Sequence, residues 1–132
     1  MIYSGSLVTL HVKLQDQWLV IGGMRVTKLV MNSQLVDVSN SSSGAWRELM
    51  DEAGVRKVNI IGSGAFSSSE AEKYIQKLAF VGKLAEYKLS FANNSELSGL
   101  FKINHYERLG EMNEIENYVI SLESSAKILF KS

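Results

Sequence analysis

The chain contains no cysteine and no proline. Without cysteine there are no disulfides, thiolate metal sites or cysteine nucleophiles. Proline ordinarily supplies about 5% of residues, so its absence from 132 positions is the sharper anomaly. Proline is one of the devices that blunts exposed strand edges; a strand-rich chain without it leaves its edges open for pairing. Histidine is scarce as well. His11 and His105 stand far apart with no paired acidic motif, which argues against a metal site. Neither sign of charge dominates, with 14 Lys+Arg against 14 Asp+Glu, which argues against a strongly basic nucleic-acid binder. No apolar run approaches the roughly 20 residues of a spanning helix. Met1–Ser6 has no basic stretch leading into an apolar one, so neither membrane insertion nor a secretory signal is expected.

What is present is an ordinary globular composition, 45% apolar and 21% charged, at a length that suits one domain over 1–132. Ten glycines and eighteen serines take over the chain breaks. Residues 7–14 alternate, with Val8, Leu10, Val12 and Leu14 on one face and Thr9, His11 and Lys13 on the other, the period of a half-buried strand. A turn at Gln15-Asp16-Gln17 leads into a second strand, Trp18–Ile21, ending at Gly22-Gly23. Residues 24–31 and 34–38 are again β-branched and apolar. Polar Val38–Gly44 then reads as an exposed loop, and Ala45–Gly54 as one or two helical turns closed by glycine, inside a long excursion of about 37–57.

Val55–Ile61 returns to strand, and Gly62-Ser63-Gly64 reads as a bulge before Ala65-Phe66. Over 69–82, Ser69 and Glu72 have capping-box spacing, and Ala71, Tyr74, Ile75, Leu78, Ala79 and Gly82 form one apolar stripe. Lys73, Gln76, Lys77 and Lys83 fall on the wet side. Tyr87, Leu89 and Phe91 alternate, Asn93-Asn94 turns, and Leu97–Ile103, Tyr118–Leu122 and Ile128–Phe130 follow as strands. The expected fold is mainly β (α+β): an antiparallel two-sheet β-sandwich or partial barrel with one flanking amphipathic α-helix.

No constellation carries enzyme chemistry. Gly62-Ser63-Gly64 lacks the strand-to-helix context and the further glycines or lysine of a phosphate or nucleophile loop. Glu107, Glu111, Glu114 and Glu116, with Arg108 among them, read as an acidic solvent-facing turn rather than paired acid/base carboxylates. No catalytic residue, metal or cofactor is assigned. Trp46, beside Arg47 and Glu48 in a polar excursion, is an odd place for an aromatic. It either tacks the loop onto its own sheet or anchors an interface, since Trp and Arg are anchor types.

Several spaced blocks carry a resemblance. They are Gly23–Lys28, Val36–Asn40, Ser43–Met50, Gly54–Val58, Gly62–Phe66 and Ile120–Ser124. This ordered series, over roughly residues 20–130, resembles the major tail protein family of long, flexible-tailed phages and related gene transfer agents. The first twenty residues match only in pattern. The resemblance implies a structural virion protein, a tail-tube subunit that assembles as hexameric rings whose inward strands join into one barrel. The rings stack into a hollow conduit for DNA delivery. It further implies partners in tape-measure, tail-terminator and distal-tail proteins, double-stranded DNA passing through without specific binding, and assembly in the host bacterial cytoplasm. Ring closure removes free sheet edges, which gives the missing proline a reason.

On that reading, Asp37, Asn40, Trp46, Arg47, Glu48 and Arg56 are expected at an inter-subunit contact, with Trp46 as apolar anchor and the arginines in charge-assisted pairs. Carboxylates among Glu107, Glu111, Glu114 and Glu116 are expected to face the bore and repel DNA, because every phosphate gripped adds affinity. Two alternatives stand beside it. One is the tube protein of a contractile injection or type VI-like secretion system. The other is a monomeric β-sandwich module for carbohydrate or peptide, which would use Trp18 and Trp46 as a small aromatic platform.

Overall fold

The computed structural model describes residue 2, residues 8–22 and residues 24–132. Seven strands run β1 (Thr9–Leu14), β2 (Gln17–Val20), β3 (Met24–Ser33), β4 (Arg56–Ala65), β5 (Ala85–Ser90), β6 (Glu96–Leu109) and β7 (Asn117–Lys131), with one helix, α1 (Glu70–Val81), between β4 and β5. Leu7, the first residue of the expected opening strand, and Gly23 of the Gly-x-Arg block lie outside the described residues. All pairings are antiparallel, and the strands join in the order β2-β1-β5-β6-β7-β4-β3. The expected two-sheet sandwich is therefore corrected to one continuous open sheet. The cause is β6 and β7, whose long shared ladder carries hydrogen bonding through from one half of the sheet to the other.

The two edges of this sheet are consecutive in sequence. Only Ile21, Gly22 and Gly23 separate β2 from β3, and such a link reaches roughly 14 Å when extended. Laid flat, edges six strand spacings apart would lie about 29 Å from one another. The sheet must curl. The hydroxyl of Tyr118, on β7, accordingly donates to the carbonyl of Gly22, just past β2, at 2.9 Å.

The core fills the inside of that curl. Leu10 and Val12 of β1, Tyr87 and Leu89 of β5, Phe101 and Ile103 of β6, Tyr118, Ile120 and Leu122 of β7, and Ile60 of β4 are all buried. They alternate along each strand with residues of the opposite face, and the register places Leu10 beside Leu89 and Ile60 beside Leu122. Tyr87 and Phe101 meet edge to face at 6.0 Å. From α1, Ala71, Ile75 and Leu78 close over this core, the helix packing against β6 and β2.

Helix α1 follows its sequence signals. Ser69 is the N-cap, accepting from the Glu72 amide at 3.3 Å, and Gly82 caps the C-terminus in the left-handed region with φ 69°. The Glu72 carboxylate is fully buried. It reaches back past the N-cap to accept from the amide of Ser67 at 2.8 Å, from the Ser67 hydroxyl, and from the Ser69 hydroxyl at 3.0 Å. Burial on its own would raise this carboxyl's pKa; the bonds from Ser67 and Ser69 outweigh it and hold the pKa below the ordinary value.

Other expectations shift in detail. Gln15 and Asp16 both take positive φ, 49° and 65°, making the two-residue hairpin between β1 and β2. The bulge expected at Gly62-Ser63-Gly64 sits instead on the neighbouring strand, between Met24 and Val26 of β3, while β4 runs unbroken. Tyr118–Leu122 and Ile128–Phe130, read as two strands, belong to one strand with an irregular register near Ala126, whose φ is 65°. The helical turns expected in Ala45–Gly54 do not form. That stretch is turns and a bridged strand-like segment instead, and the excursion's one 3-10 turn among the described residues, Ser41–Ser43, precedes it.

Two outcomes test this account. A carboxylate with a depressed folded pKa stabilises above its unfolded pKa, and that contribution is lost as pH falls through the folded value. Acidification through the carboxylate range is therefore expected to destabilise the protein, and Glu72→Gln to lower stability at neutral pH while flattening that acid limb, read by urea unfolding against pH. Gly54 has φ 92°, and a methyl there would overlap the carbonyl oxygen of Gln34. Gly54→Ala is expected to cost roughly 1–3 kcal/mol locally, read as faster hydrogen exchange at the Gln34 and Met50 amides.

Candidate assembly interface

The β3–β4 hairpin does not stop where its strands end. Beyond Ser33 and Arg56, Gln34 donates its amide to the Val55 carbonyl at 2.8 Å, Met50 to Val36 at 2.8 Å and Val38 to Glu48 at 3.0 Å, with Asp37 bridging Leu49. These bonds turn the expected loop into a ladder-stiffened arm. Its distal part is organised by short polar side chains. Asp37 accepts from the Ser39 amide at 2.8 Å, and Asn40 caps the 3-10 turn by accepting from the Ser42 amide at 2.9 Å. Ser39 Oγ accepts from the Glu48 amide at 2.6 Å, tying the two sides together. The hydrogen bonds from Ser39 hold the Asp37 carboxyl below its usual pKa, with Arg47 adding to the effect.

The arm thus gathers five of the six expected contact residues, Asp37, Asn40, Trp46, Arg47 and Glu48, with Arg56 at its root. Asp37 and Asn40 spend their side-chain oxygens holding the arm's shape, whereas Glu48 contributes only its backbone amide and carbonyl. Trp46 does not tack the arm to its own sheet: it is 82% exposed. Val38, Leu49, Met50 and Val55 are also exposed along the arm, and apolar side chains gathered on an exposed element are the kind that mark interaction sites.

The four acidic candidates are not brought together. Glu107 lies on β6, on the face turned away from the core, 3.9 Å from His105. Glu111 and Glu114 sit in the β6–β7 turn. Glu116 is engaged on the helix side, where Arg108 donates to both its oxygens at 2.7 and 2.8 Å and also to Gln76 at 2.8 Å. That Arg108 guanidinium lies 3.7 Å over the Phe66 ring, so the pair ties α1 and β6 together. The bond from Arg108 holds the Glu116 carboxyl below the usual range and raises the guanidinium.

The uncovered face of the sheet interleaves charge of both signs with apolar side chains such as Val20 and Leu100. Lys13 pairs with Glu86 at 3.5 Å and Lys57 with Glu123 at 3.1 Å. Trp18 lies between Lys13 and Lys88, their ammonium groups 5.8 and 4.8 Å from its ring centre. His11 is on this face too. Burial first, and Lys88 second, lower its pKa. Among the described residues no group of three His, Asp or Glu could hold a metal ion, and no helix is long and apolar enough to cross a membrane.

The sequence reading missed three exposed apolar side chains. Phe80, on α1, is 92% exposed, and Met112, at 90%, shares the β6–β7 turn with exposed Ile115. The signals were present. Phe80 falls off the helix stripe, and Met112 and Ile115 interrupt an acidic run.

Comparison with known proteins shows the family. A family model described as phage tail tube protein matches residues 4–130. No curated protein matches the chain in sequence. The structure superposes on a chain from the tail of an empty gene transfer agent particle, refined helically with C6 symmetry, at a TM-score of 0.92 and 28% identity, over 99% of this chain and 100% of that one. A chain from the virion of a native gene transfer agent matches at 0.90 and 28%, with the same coverage. The SPP1 tail tube matches at 0.76 and 14%, over 98% of this chain and 78% of that one, which speaks for the fold alone. A structural subunit with no assigned catalytic group and a solvent-exposed arm, this chain belongs to the phage tail tube protein family.

Proposed function

We propose that copies of this chain form hexameric rings that stack into a hollow tail tube, through which double-stranded DNA leaves a phage or gene transfer agent particle. The observation that carries this reading is the full-length likeness, at 28% identity, to a chain of a C6-symmetric gene transfer agent tail. Physical features of the chain support it. The open sheet leaves two unpaired edges, β2 and β3, and neither has the proline that would guard it. Contacts of this type are heterologous: they close in one direction around a ring and extend in the other.

In this assembly the arm reaches a neighbouring subunit. Trp46 is the apolar anchor, while Arg47, Glu48 and Arg56 pair across the junction, and Asp37 and Asn40 hold the arm in shape. The charge-interleaved face is turned to the bore, where Glu107 keeps phosphates from settling on the lysines. Tape-measure, tail-terminator and distal-tail proteins complete the tail, which is put together in the host bacterial cytoplasm.

Purified protein taken through a concentration series is expected to scatter light as large species, and negative staining to show hollow rings or tubes. A species that stays monomeric throughout, and still does so once the tape-measure and distal-tail proteins are added, would overturn the reading. Trp46→Ala is expected to fold normally and lose tubes, because truncating a central interface tryptophan costs about 2 kcal/mol or more; tubes in undiminished yield would remove Trp46 from the junction. Glu107→Lys is expected to leave tubes intact but make them retain duplex DNA at low salt, an affinity that fades as salt rises.

A further inference from the structure

The tip of the β6–β7 hairpin and the root of the arm lie at opposite ends of the sheet. Ala65 of β4 pairs with Asn117, next to the tip, whereas Arg56 begins β4 at the arm. At the rise of a strand these ends are about 30 Å apart. Each end presents an unsatisfied surface, and the two surfaces are complementary.

At the tip, residues 110–116, Met112 and Ile115 are exposed, with Leu109 exposed just before them. Glu111 and Glu114 flank these side chains. Among the described residues neither carboxylate takes part in an ion pair, in contrast to Glu116. A left-handed Asn113, φ 66°, sits in the turn next to Met112.

At the arm root is a groove of about 880 Å³ between the arm and the end of β7. Its lining is mostly apolar, with Met31, Val58, Leu97, Ile128 and Phe130 beside the polar Asn32 and Ser33, and both Met31 and Phe130 remain exposed. Its rim is basic, with Arg56, Lys57 and Lys127. Lys57 is taken by Glu123, but Arg56 and Lys127 have no acidic partner among the described residues. An apolar acidic knob at one end of a subunit thus matches an apolar basic groove at the other.

We infer that the groove is occupied by a second copy of this chain. The 110–116 hairpin of one subunit inserts Met112 and Ile115 between the arm root and β7 of the next, with Glu111 and Glu114 against Arg56 and Lys127. Because knob and groove sit at opposite ends, no single chain satisfies both, and two copies joined head to tail leave one of each open. Repetition generates a polar, open-ended stack. This rests on the tail-tube reading and gives the ring-to-ring direction a specific contact. It also moves Glu111 and Glu114 from the bore to the junction.

The absence of native cysteine makes the contact directly testable. The double variant Met112→Cys/Phe130→Cys, concentrated and oxidised, is expected to give a ladder of covalent multimers, and either single variant no ladder. Met112→Asp/Ile115→Asp, both exposed positions, is expected to keep a native circular dichroism spectrum and raise the critical concentration for assembly about tenfold, a loss of ~1.4 kcal/mol. Tubes without a ladder, or tubes formed by the Asp variant at the wild-type concentration, overturn this contact and leave the tail-tube reading standing. Neither tubes nor a ladder overturns both. A ladder without tubes supports the contact and removes the ring.

Discussion

The structure hangs on a link of three residues. Ile21, Gly22 and Gly23 join strands at the two opposite edges of a seven-stranded sheet. A flat sheet cannot meet that restraint, since its edges would lie about twice as far apart as the link can reach. Curling follows, and with it the burial of one face. Tyr118, bonded to Gly22 across the interior, is the side chain through which the far strand meets the closing edge. Helix α1 then has one place to put its apolar stripe, over the core and against β6 and β2.

A curled sheet that does not close has consequences for function. It leaves β2 and β3 as open edges, and it presents its uncovered face outward with charges of both signs interleaved. The β3–β4 hairpin continues past the sheet as an arm whose polar side chains serve its own shape and whose apolar ones face solvent. Such a chain is complete as a fold and incomplete as a surface. The chain belongs to the tail tube family, its likeness to a chain of a C6-symmetric tail supports self-association, and the exposed arm is where we place the neighbouring copy.

Much of the fold was legible because local signals were strong. The capping serine, the stripe from Ala71 to Gly82 and the alternation of Leu10 and Val12 each identified an element that the structure contains. The arm was harder. Good helix formers at Ala45–Ala53 suggested turns of helix, but cross-strand bonds from Val36 and Val38 claimed that backbone first. Among site residues, Trp46 stands out in the sequence as an aromatic in a polar stretch, and its exposure removes the possibility that it serves its own sheet. The four glutamates looked like one acidic patch because they are neighbours in sequence. The hairpin separates them: Glu107 to the uncovered face, Glu111 and Glu114 to the tip, and Glu116 to Arg108.

The sequence by itself determined the periods, caps and turns, and through its spaced blocks the family, because these depend on residues within a few positions of one another or on an order along the chain. Tertiary structure decided that there is one sheet instead of two, that its edges approach, and that a buried Glu72 is charged and held by serines. It also decided that an acidic knob and a basic groove stand at opposite ends. Those facts rest on pairings between residues far apart in sequence, such as Lys57 with Glu123 or Gly22 with Tyr118. Local propensity carries no record of such partners, since the free energy that selects them exists only once the chain has come together.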